Sequence, residues 1–202
     1  MEIKRINSYS DNRFHQDILN RHTAFLVNDK DPYEIKIIDK HKAIISGKDP
    51  SNYLKVIEEF RYNCGHTTTF LDTQNNIIKT YPKVELFKIA IEEIEPSQFY
   101  IDEDKLKAVE TFVNNEDDII IPIVHKDNHY ISIDGHTRLK AALNKNIKYA
   151  YYYLSDEEEY LSYFYNETKK RSIYHIKDMQ VISHNEYEIK WNKFCDNYFS
   201  NK

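Results

Sequence analysis

The residues best suited to chemistry in this sequence stand in a row, Asp134-Gly135-His136-Thr137-Arg138. His136 and Thr137 can donate hydrogen bonds to phosphate or carboxylate oxygens, and the guanidinium of Arg138 is a planar fork suited to phosphate. Asp134 has the opposite charge, so it would hold Mg²⁺ against phosphates, accept from a substrate hydroxyl or orient Arg138. These residue types favour an anion site. The alternative is purely structural, with Asp134 capping a helix and pairing with Arg138.

The flanking sequence predicts a strand before this box and a helix after it. His129 to Ile133 alternates polar and apolar residues, whereas Leu139, Ala142 and Leu143 recur at helical spacing. Gly135 permits a sharp turn between the two and close approach of a ligand to the backbone. A helix N-terminus presents unpaired N–H groups and the positive end of the helix dipole. The position therefore suits a phosphate.

A strand that ends in this box and runs into Leu-Lys-Ala-Ala-Leu resembles the signature of the ParB/sulfiredoxin superfamily. The resemblance covers about Val84 to Leu154. Within it, Ile94-Glu95-Pro96-Ser97-Gln98 is similar to the superfamily's opening strand and turn, Asp102 to Val113 to its first helix, and Ile119 to Val124 to its Pro-containing strand. The resemblance implies an α+β fold with a mixed sheet and helices. The chain also resembles a family of uncharacterised bacterial proteins that carry this box.

The members of the superfamily differ in this box. Sulfiredoxins have a reactive Cys where this chain has His136, so sulfinic-acid reduction is not expected. ParB proteins, which bind and hydrolyse CTP, carry Gly-Glu-Arg-Arg, of which Gly135 and Arg138 are retained. The box is most similar to the Asp-Gly-His-His-Arg of free serine kinases, with Thr137 in place of the second His. The resemblance therefore implies nucleotide binding and, by analogy, phosphorylation of a small hydroxyl-bearing acceptor.

One position departs from the kinase pattern. In those kinases the turn after the first strand carries a catalytic Glu, and the turn here reads Pro96-Ser97-Gln98. An amide does not accept the hydroxyl proton as a carboxylate does. Three nearby carboxylates are alternatives, namely Glu95, Asp102 and Glu103.

The resemblance and the residue chemistry together define the predicted site. The predicted catalytic residues are Asp134, His136 and Gln98. The predicted phosphate-binding residues are Gly135, His136, Thr137 and Arg138. Asp134 is also the predicted Mg²⁺ ligand, and the expected cofactors are Mg²⁺ with ATP, ADP or CTP.

Three classes of function follow from these residues. The first is a nucleotide-dependent kinase or NTPase, in which positioning and charge neutralisation supply most of the catalysis. The second is a DNA-associated or regulatory ParB-like protein. The third is a non-catalytic ligand-binding module, which agrees with an intact anion site and a missing catalytic Glu. Whether the protein is an enzyme is left open at this point, as are the nucleotide, the acceptor and the oligomeric state.

The composition limits the classes of binding partner that are expected. The net charge is −5 and the pI is about 6.0, so non-specific binding to nucleic acid is not expected. A local basic patch is still compatible with this net charge. The two cysteines are unpatterned and no signal peptide is evident, which favours a reduced, cytoplasmic protein. No apolar run approaches the roughly 18 residues that span a bilayer, so no membrane partner is expected.

Three regions are predicted along the chain, at 1–83, 84–154 and 155–202. The first is a small α+β domain with three short strands between Ala24 and Ile45, a helix begun by Asp49-Pro50, and a hairpin within 67–81. The second is the ParB/sulfiredoxin-like domain, in which Val84 to Ile94 is predicted as one long strand and Pro122 as an edge position or strand end. The third is a helical extension, with helices started by Ser155 with Glu158 and by Ser183 with Glu186.

Overall fold

The computed structural model describes residues 1–157 and 159–200. The chain forms two compact units, Met1–Leu86 and Phe87–Lys202. Both contain sheets and helices, so the predicted α+β class is confirmed. The predicted site residues all belong to the second unit. No helix of the described residues is both long and apolar enough to span a membrane.

The first unit is built on one six-stranded sheet. Its strands in chain order are β1 Ile3–Arg5, β2 Ala24–Val27, β3 Asp31–Ile37, β4 Lys42–Gly47, β5 Thr69–Leu71 and β6 Ile77–Thr80. They lie side by side in that order, all antiparallel except the β4–β5 pair. A parallel pair needs a crossover, and α2 (Tyr53–Asn63) supplies it. The short helix α1 is Gln16–Asn20. The predicted strands, helix and hairpin of this region are confirmed.

The second unit contains a five-stranded mixed sheet and a two-stranded one. Its strands in chain order are β7 Phe87–Ala90, β8 Ile94–Pro96, β9 Tyr100–Asp102, β10 Ile120–Lys126, β11 His129–Ser132, β12 Tyr149–Leu154 and β13 Gln180–Ile182. The larger sheet has the order β7-β12-β10-β11-β8, and β13 pairs with β9. Its helices are α3 Glu103–Glu110, α4 His136–Asn144, α5 Leu161–Lys170, α6 His184–Tyr187 and α7 Lys193–Ser200. A π-helical turn, Glu188–Asn192, joins α6 to α7.

The prediction of one long strand from Val84 to Ile94 is wrong. The 3₁₀ turn Ile91–Glu93 separates β7 from β8. These two strands lie on opposite edges of the sheet, since β7 pairs with β12 and β8 with β11. Ile91 is itself buried, so the alternation of apolar residues continues through the turn and hides the break.

The edge position predicted for Pro122 is also wrong, because Pro122 lies within β10, the central strand. The carbonyl of Pro122 accepts from the N–H of Ile133 at 3.3 Å, one residue past the end of β11. The N–H that proline lacks would point to the same neighbour, so the pair of Pro122 and Ile133 makes one hydrogen bond at the end of this ladder where two are usual.

The C-terminal region packs into the second unit. Trp191 and Phe194 lie edge-on to the buried ring of Phe99, with centroids 4.7 and 5.0 Å away. Ser183 caps α6 as predicted, accepting from the N–H of Glu186. The helix expected to start at Ser155 begins only at Leu161, because the N–H of Ser155 donates to Ile123 and continues the sheet. The other half of that predicted capping box, Glu158, lies outside the described residues.

Candidate functional site

The turn between β11 and α4 requires glycine. Gly135 has a φ of +84°, a conformation that L side chains rarely adopt, and it occupies the N-cap of α4. A Cβ at this position would lie 2.3 Å from Cγ2 of Ile121, so the backbone packs directly on β10. Gly135 also has no side chain with which to cap the helix. The first-turn N–H groups of α4 have no intrahelical acceptor, and they are the groups that bind anions at helix N-termini.

Arg138 is held in a fixed orientation beside this turn. Its Nη1 donates to the carbonyl of Ile120 at 2.6 Å, and its Nη2 donates to Oδ2 of Asp134 at 3.2 Å. The guanidinium carries five N–H groups, so these two partners do not exhaust it. The side chain of Arg138 is mostly buried, whereas that of Asp134 is 53% exposed. Solvent therefore reaches the carboxylate of this pair more readily than the guanidinium.

Asp134 is strongly ionised. The surrounding protein partly shields the half-exposed carboxylate from water, which opposes ionisation, but the positive charges of Arg138 and Lys105, with the N–H of Gly135, outweigh this effect and lower the pKa of Asp134 to about 2. Lys105 comes from the first turn of α3 and was not among the predicted site residues. Two cations from different helices therefore act on one carboxylate at the start of α4.

His136 faces inward, and its exposed fraction is 4%. Nε2 accepts from the N–H of Ser97 at 3.1 Å, and the ring also bonds to the backbone of Ser132. Burial lowers the pKa of His136 to about 4, so the ring is neutral at pH 7. An imidazole with these partners holds the Ser97 turn against the end of β11. Thr137, the next residue of α4, is also buried, at 5% exposed.

The turn after β8 does lie against the box, as the superfamily resemblance implies. Oγ of Ser97 donates to the carbonyl of Ser132 at 2.7 Å. Gln98 uses its amide as a donor, because Nε2 bonds to the carbonyl of Tyr100 and to the hydroxyl of Tyr187 at 3.0 Å. Gln98 thus links the turn to β9 and α6, and no acidic group stands at this position.

The three alternative carboxylates lie in different surroundings. Glu95 is engaged by His129, Lys169 and the hydroxyl of Tyr165. Burial opposes ionisation of Glu95, but these three donors lower its pKa. The next of them, Glu103, pairs with Lys107 on the surface of α3 at 3.0 Å.

Asp102, the third, is buried and is the N-cap of α3, accepting from the N–H of Asp104 at 2.9 Å. Its other oxygen, Oδ2, lies 2.7 Å from Nδ1 of His184.

Sequence reasoning therefore missed three residues near the box, namely Lys105, His184 and Tyr187. The Ser183–Glu186 pattern predicted the helix that carries two of them, but it held no signal for where that helix packs. That position depends on the parallel pairing of β13 with β9, in which Ile182 is opposite Asp102. Strands 78 or more residues apart in sequence leave no local pattern that reveals such a pairing.

Mg²⁺ requires oxygen ligands, and the carboxylate of Asp134 is the candidate donor in the box. No group of three or more His, Cys, Asp or Glu side chains among the described residues could hold a metal ion. Mg²⁺ bound with a nucleotide commonly uses only one or two carboxylates, with phosphates and water completing its shell. Asp134 meets that smaller requirement, because it is ionised and half-exposed.

No protein-family model and no curated protein matches this sequence. Among solved structures, the chain is similar to the crystal structure of protein Atu1540 from Agrobacterium tumefaciens, with 16% identity and a TM-score of 0.36. The matched region covers 49% of this chain and 63% of the other, so the chain spans less than two thirds of that structure. A similarity of this size transfers neither fold nor function.

Proposed function

We propose that the second unit binds a nucleotide, with its phosphates at the first turn of α4. One observation carries this proposal: the guanidinium of Arg138, held by Ile120 and Asp134, lies beside a helix N-terminus whose N-cap residue is glycine, and the charge of Lys105 also acts there. Helix N–H groups, the helix dipole and two cations all favour a phosphate at this point. The alternative, a purely structural Asp134–Arg138 pair, does not require Lys105 or a half-exposed carboxylate.

Each residue of the box has a distinct part in this proposal. Gly135 lets the backbone approach the phosphate, and Arg138 donates to it while Ile120 and Asp134 hold the guanidinium in place. His136 is a positioning residue, since its ring connects Ser97 to the end of β11. Thr137 contributes its backbone N–H in the first turn. Asp134 would hold Mg²⁺, which when bound neutralises phosphate charge.

Phosphoryl transfer to a small hydroxyl-bearing acceptor is the reaction we propose for this site. Catalysis of that reaction consists mostly of positioning and charge neutralisation, and cations on a rigid strand–turn–helix are suited to both. Water as the acceptor gives nucleotide hydrolysis by the same arrangement. If nucleotide binds but neither reaction occurs, the site is a non-catalytic ligand-binding module.

The direct test is the melting temperature in the presence of ATP, ADP, CTP or GTP, each with Mg²⁺. A ligand that binds only the native state stabilises it by about 2.7 kcal/mol at a hundredfold excess over its Kd. We expect at least one nucleotide to raise the melting temperature of wild type. Absence of any shift with all four would overturn the proposal.

A further inference from the structure

Asp102 and His184 form a carboxylate–imidazole pair that joins the end of β9 to the start of α6. Asp102 ends β9, His184 follows the N-cap of α6, and the parallel β9–β13 pairing brings them together. Oδ2 of Asp102 lies 2.7 Å from Nδ1 of His184. The Asp102 side chain is 8% exposed and that of His184 is 52% exposed. A buried carboxylate thus holds an imidazole that solvent can reach.

This arrangement leaves one ring nitrogen for chemistry. A carboxylate accepts hydrogen bonds, so Nδ1 of His184 carries the proton that it donates to Asp102. Nε2 is then the basic nitrogen of the neutral ring. A carboxylate that fixes the tautomer and orientation of a histidine is the usual support of a general base.

The pair is connected to the proposed site through two helices. Asp102 caps α3, and Lys105 in the first turn of α3 acts on Asp134. Tyr187 lies three residues after His184 in the same helix. Its hydroxyl accepts a hydrogen bond from the side-chain amide of Gln98. Burial is the largest cause of the raised pKa of Tyr187, and the charges of both Asp102 and Asp134 add to it. The pair therefore lies on the side where Gln98 stands in place of a carboxylate.

We propose that His184, oriented by Asp102, is the general base that activates the acceptor hydroxyl. This inference rests on the proposed function. Nε2 of His184 takes the hydroxyl proton while the acceptor oxygen forms a bond to the terminal phosphorus of the nucleotide. The bond from that phosphorus to its bridging oxygen breaks, and the electron pair leaves with the shortened nucleotide. The imidazolium then returns its proton to solvent. Asp102 is a positioning residue in this step.

Two variants separate this role from a structural one. His184→Ala removes the base. Asp102→Asn removes the negative charge but retains a good N-cap for α3, since Asn and Asp cap helices about equally well. The matched control is His129→Ala. His129 is 49% exposed, and its Nδ1 bonds to the mostly buried carboxylate of Glu95. His129 stands at the start of β11, whereas the proposed site lies at the end of that strand.

Turnover is measured with ATP, ADP, CTP or GTP, each with Mg²⁺, and with L-serine or water as the acceptor. Nucleotide affinity is measured by calorimetry on the same samples. We expect His184→Ala to lower the rate by about 10²–10⁴, the range of a general base, with unchanged affinity. Free imidazole should restore part of the rate. His129→Ala should retain the wild-type rate.

The pH profile gives a second readout. The acidic groups that act on His184 are Asp102 from β9, Asp104 from α3 and Glu188 from the π-helical turn after α6, and together they raise its pKa. A neutral base is required, so the rate should rise with pH through that pKa. Asp102→Asn removes the main cause of the raised pKa, so the acid limb should move to lower pH.

The possible failures are distinguishable. If no nucleotide binds, the proposed function fails and this inference fails with it. If a nucleotide binds, but wild type is inert or His184→Ala matches its rate, the base assignment is overturned and binding stands. A rate loss without imidazole rescue and without a moved acid limb would mean that the pair only anchors α6, which also overturns the inference.

Discussion

Nε2 of His136 lies 3.1 Å from the backbone nitrogen of Ser97, and this contact joins two strand ends that are 39 residues apart in sequence. β8 and β11 are parallel neighbours, with Ser132 opposite Pro96. The C-terminal ends of the two strands therefore lie side by side. The histidine of the box therefore fixes the turn that carries Gln98. The ring of His136, a predicted ligand donor, thus has its Nε2 engaged by the backbone of Ser97.

The first prediction concerns the pH dependence that His136 imposes on stability. Its folded pKa of about 4 lies below the ordinary value of 6.5, so the unfolded chain takes up a proton first as the pH falls. The contribution is complete above about pH 6.5 and is lost as the pH falls towards 4. Its size is about 2–3 kcal/mol between pH 7.5 and 4.5.

Urea unfolding followed by the fluorescence of Trp191, the single tryptophan, measures this contribution in the second unit. His136→Gln is the control, because glutamine does not titrate. Wild type should lose about 2–3 kcal/mol more than the variant between the two pH values. The same pH dependence in both proteins would contradict a buried, neutral His136.

The second prediction concerns Arg138. Arg138→Ala should weaken nucleotide binding by roughly 1.5–3 kcal/mol, the scale of a hydrogen bond to a charged group. Lysine should not restore affinity fully, because it lacks the planar fork. Arg171→Ala is a matched control: Arg171 also pairs with a carboxylate four residues earlier, Glu167, and donates to a backbone carbonyl. Calorimetric titration measures the affinity of wild type and of these three variants. Equal affinity in wild type and Arg138→Ala would remove Arg138 from the site.

The third prediction concerns Gly135→Ala. The left-handed backbone costs about 1–2 kcal/mol for an L residue, and the contact with Ile121 adds about 1–3 kcal/mol of overpacking. The change from Asn146→Gly to Asn146→Ala, at a φ of +58° just beyond α4, measures the backbone part alone, because these two variants differ only by a Cβ at a left-handed position. Urea unfolding should show a clearly larger loss of stability at Gly135. Comparable losses at both positions would mean that the close contact with β10 carries no cost.

The fourth prediction concerns Gln98→Glu. A carboxylate lacks the N–H groups that Gln98 donates to Tyr100 and Tyr187, so the change should cost about 1–3 kcal/mol of stability. It should not raise phosphorylation of L-serine, because we assign the base to His184. Gln180→Glu, the same change at an exposed position of β13, is the control. A higher rate in Gln98→Glu would instead identify this position as that of a lost base.

The fifth prediction concerns DNA. Sequence-independent binding to the DNA backbone requires an excess of positive charge, and this chain has a net charge of −5. We expect no binding to random duplex DNA in a gel-shift experiment at physiological salt. Tight binding that weakens steeply with added salt would favour the regulatory alternative over the kinase.

The local elements around the site were predictable because they depend on residues close in sequence. Polar and apolar residues alternate up to Ile133, and apolar residues recur at helical spacing from Leu139. This change of pattern correctly placed the turn between β11 and α4. Ser183 and Glu186 correctly marked the start of α6. The break within Val84 to Ile94 was missed, since a buried 3₁₀ residue, Ile91, preserves the apolar pattern that a continuous strand would show.

The sequence by itself determined which chemical groups stand at the start of α4, because a glycine turn and a helical repeat are local properties. Only the tertiary structure decided which of those groups solvent can reach. His136 and Thr137 are buried while Asp134 is half-exposed, an outcome that depends on how β8, β10 and β11 pack around the turn. The tertiary structure also brought the charge of Lys105 close enough to act on Asp134, and it paired Asp102 with His184. Strand pairing between distant segments creates such neighbours, and no local pattern encodes it.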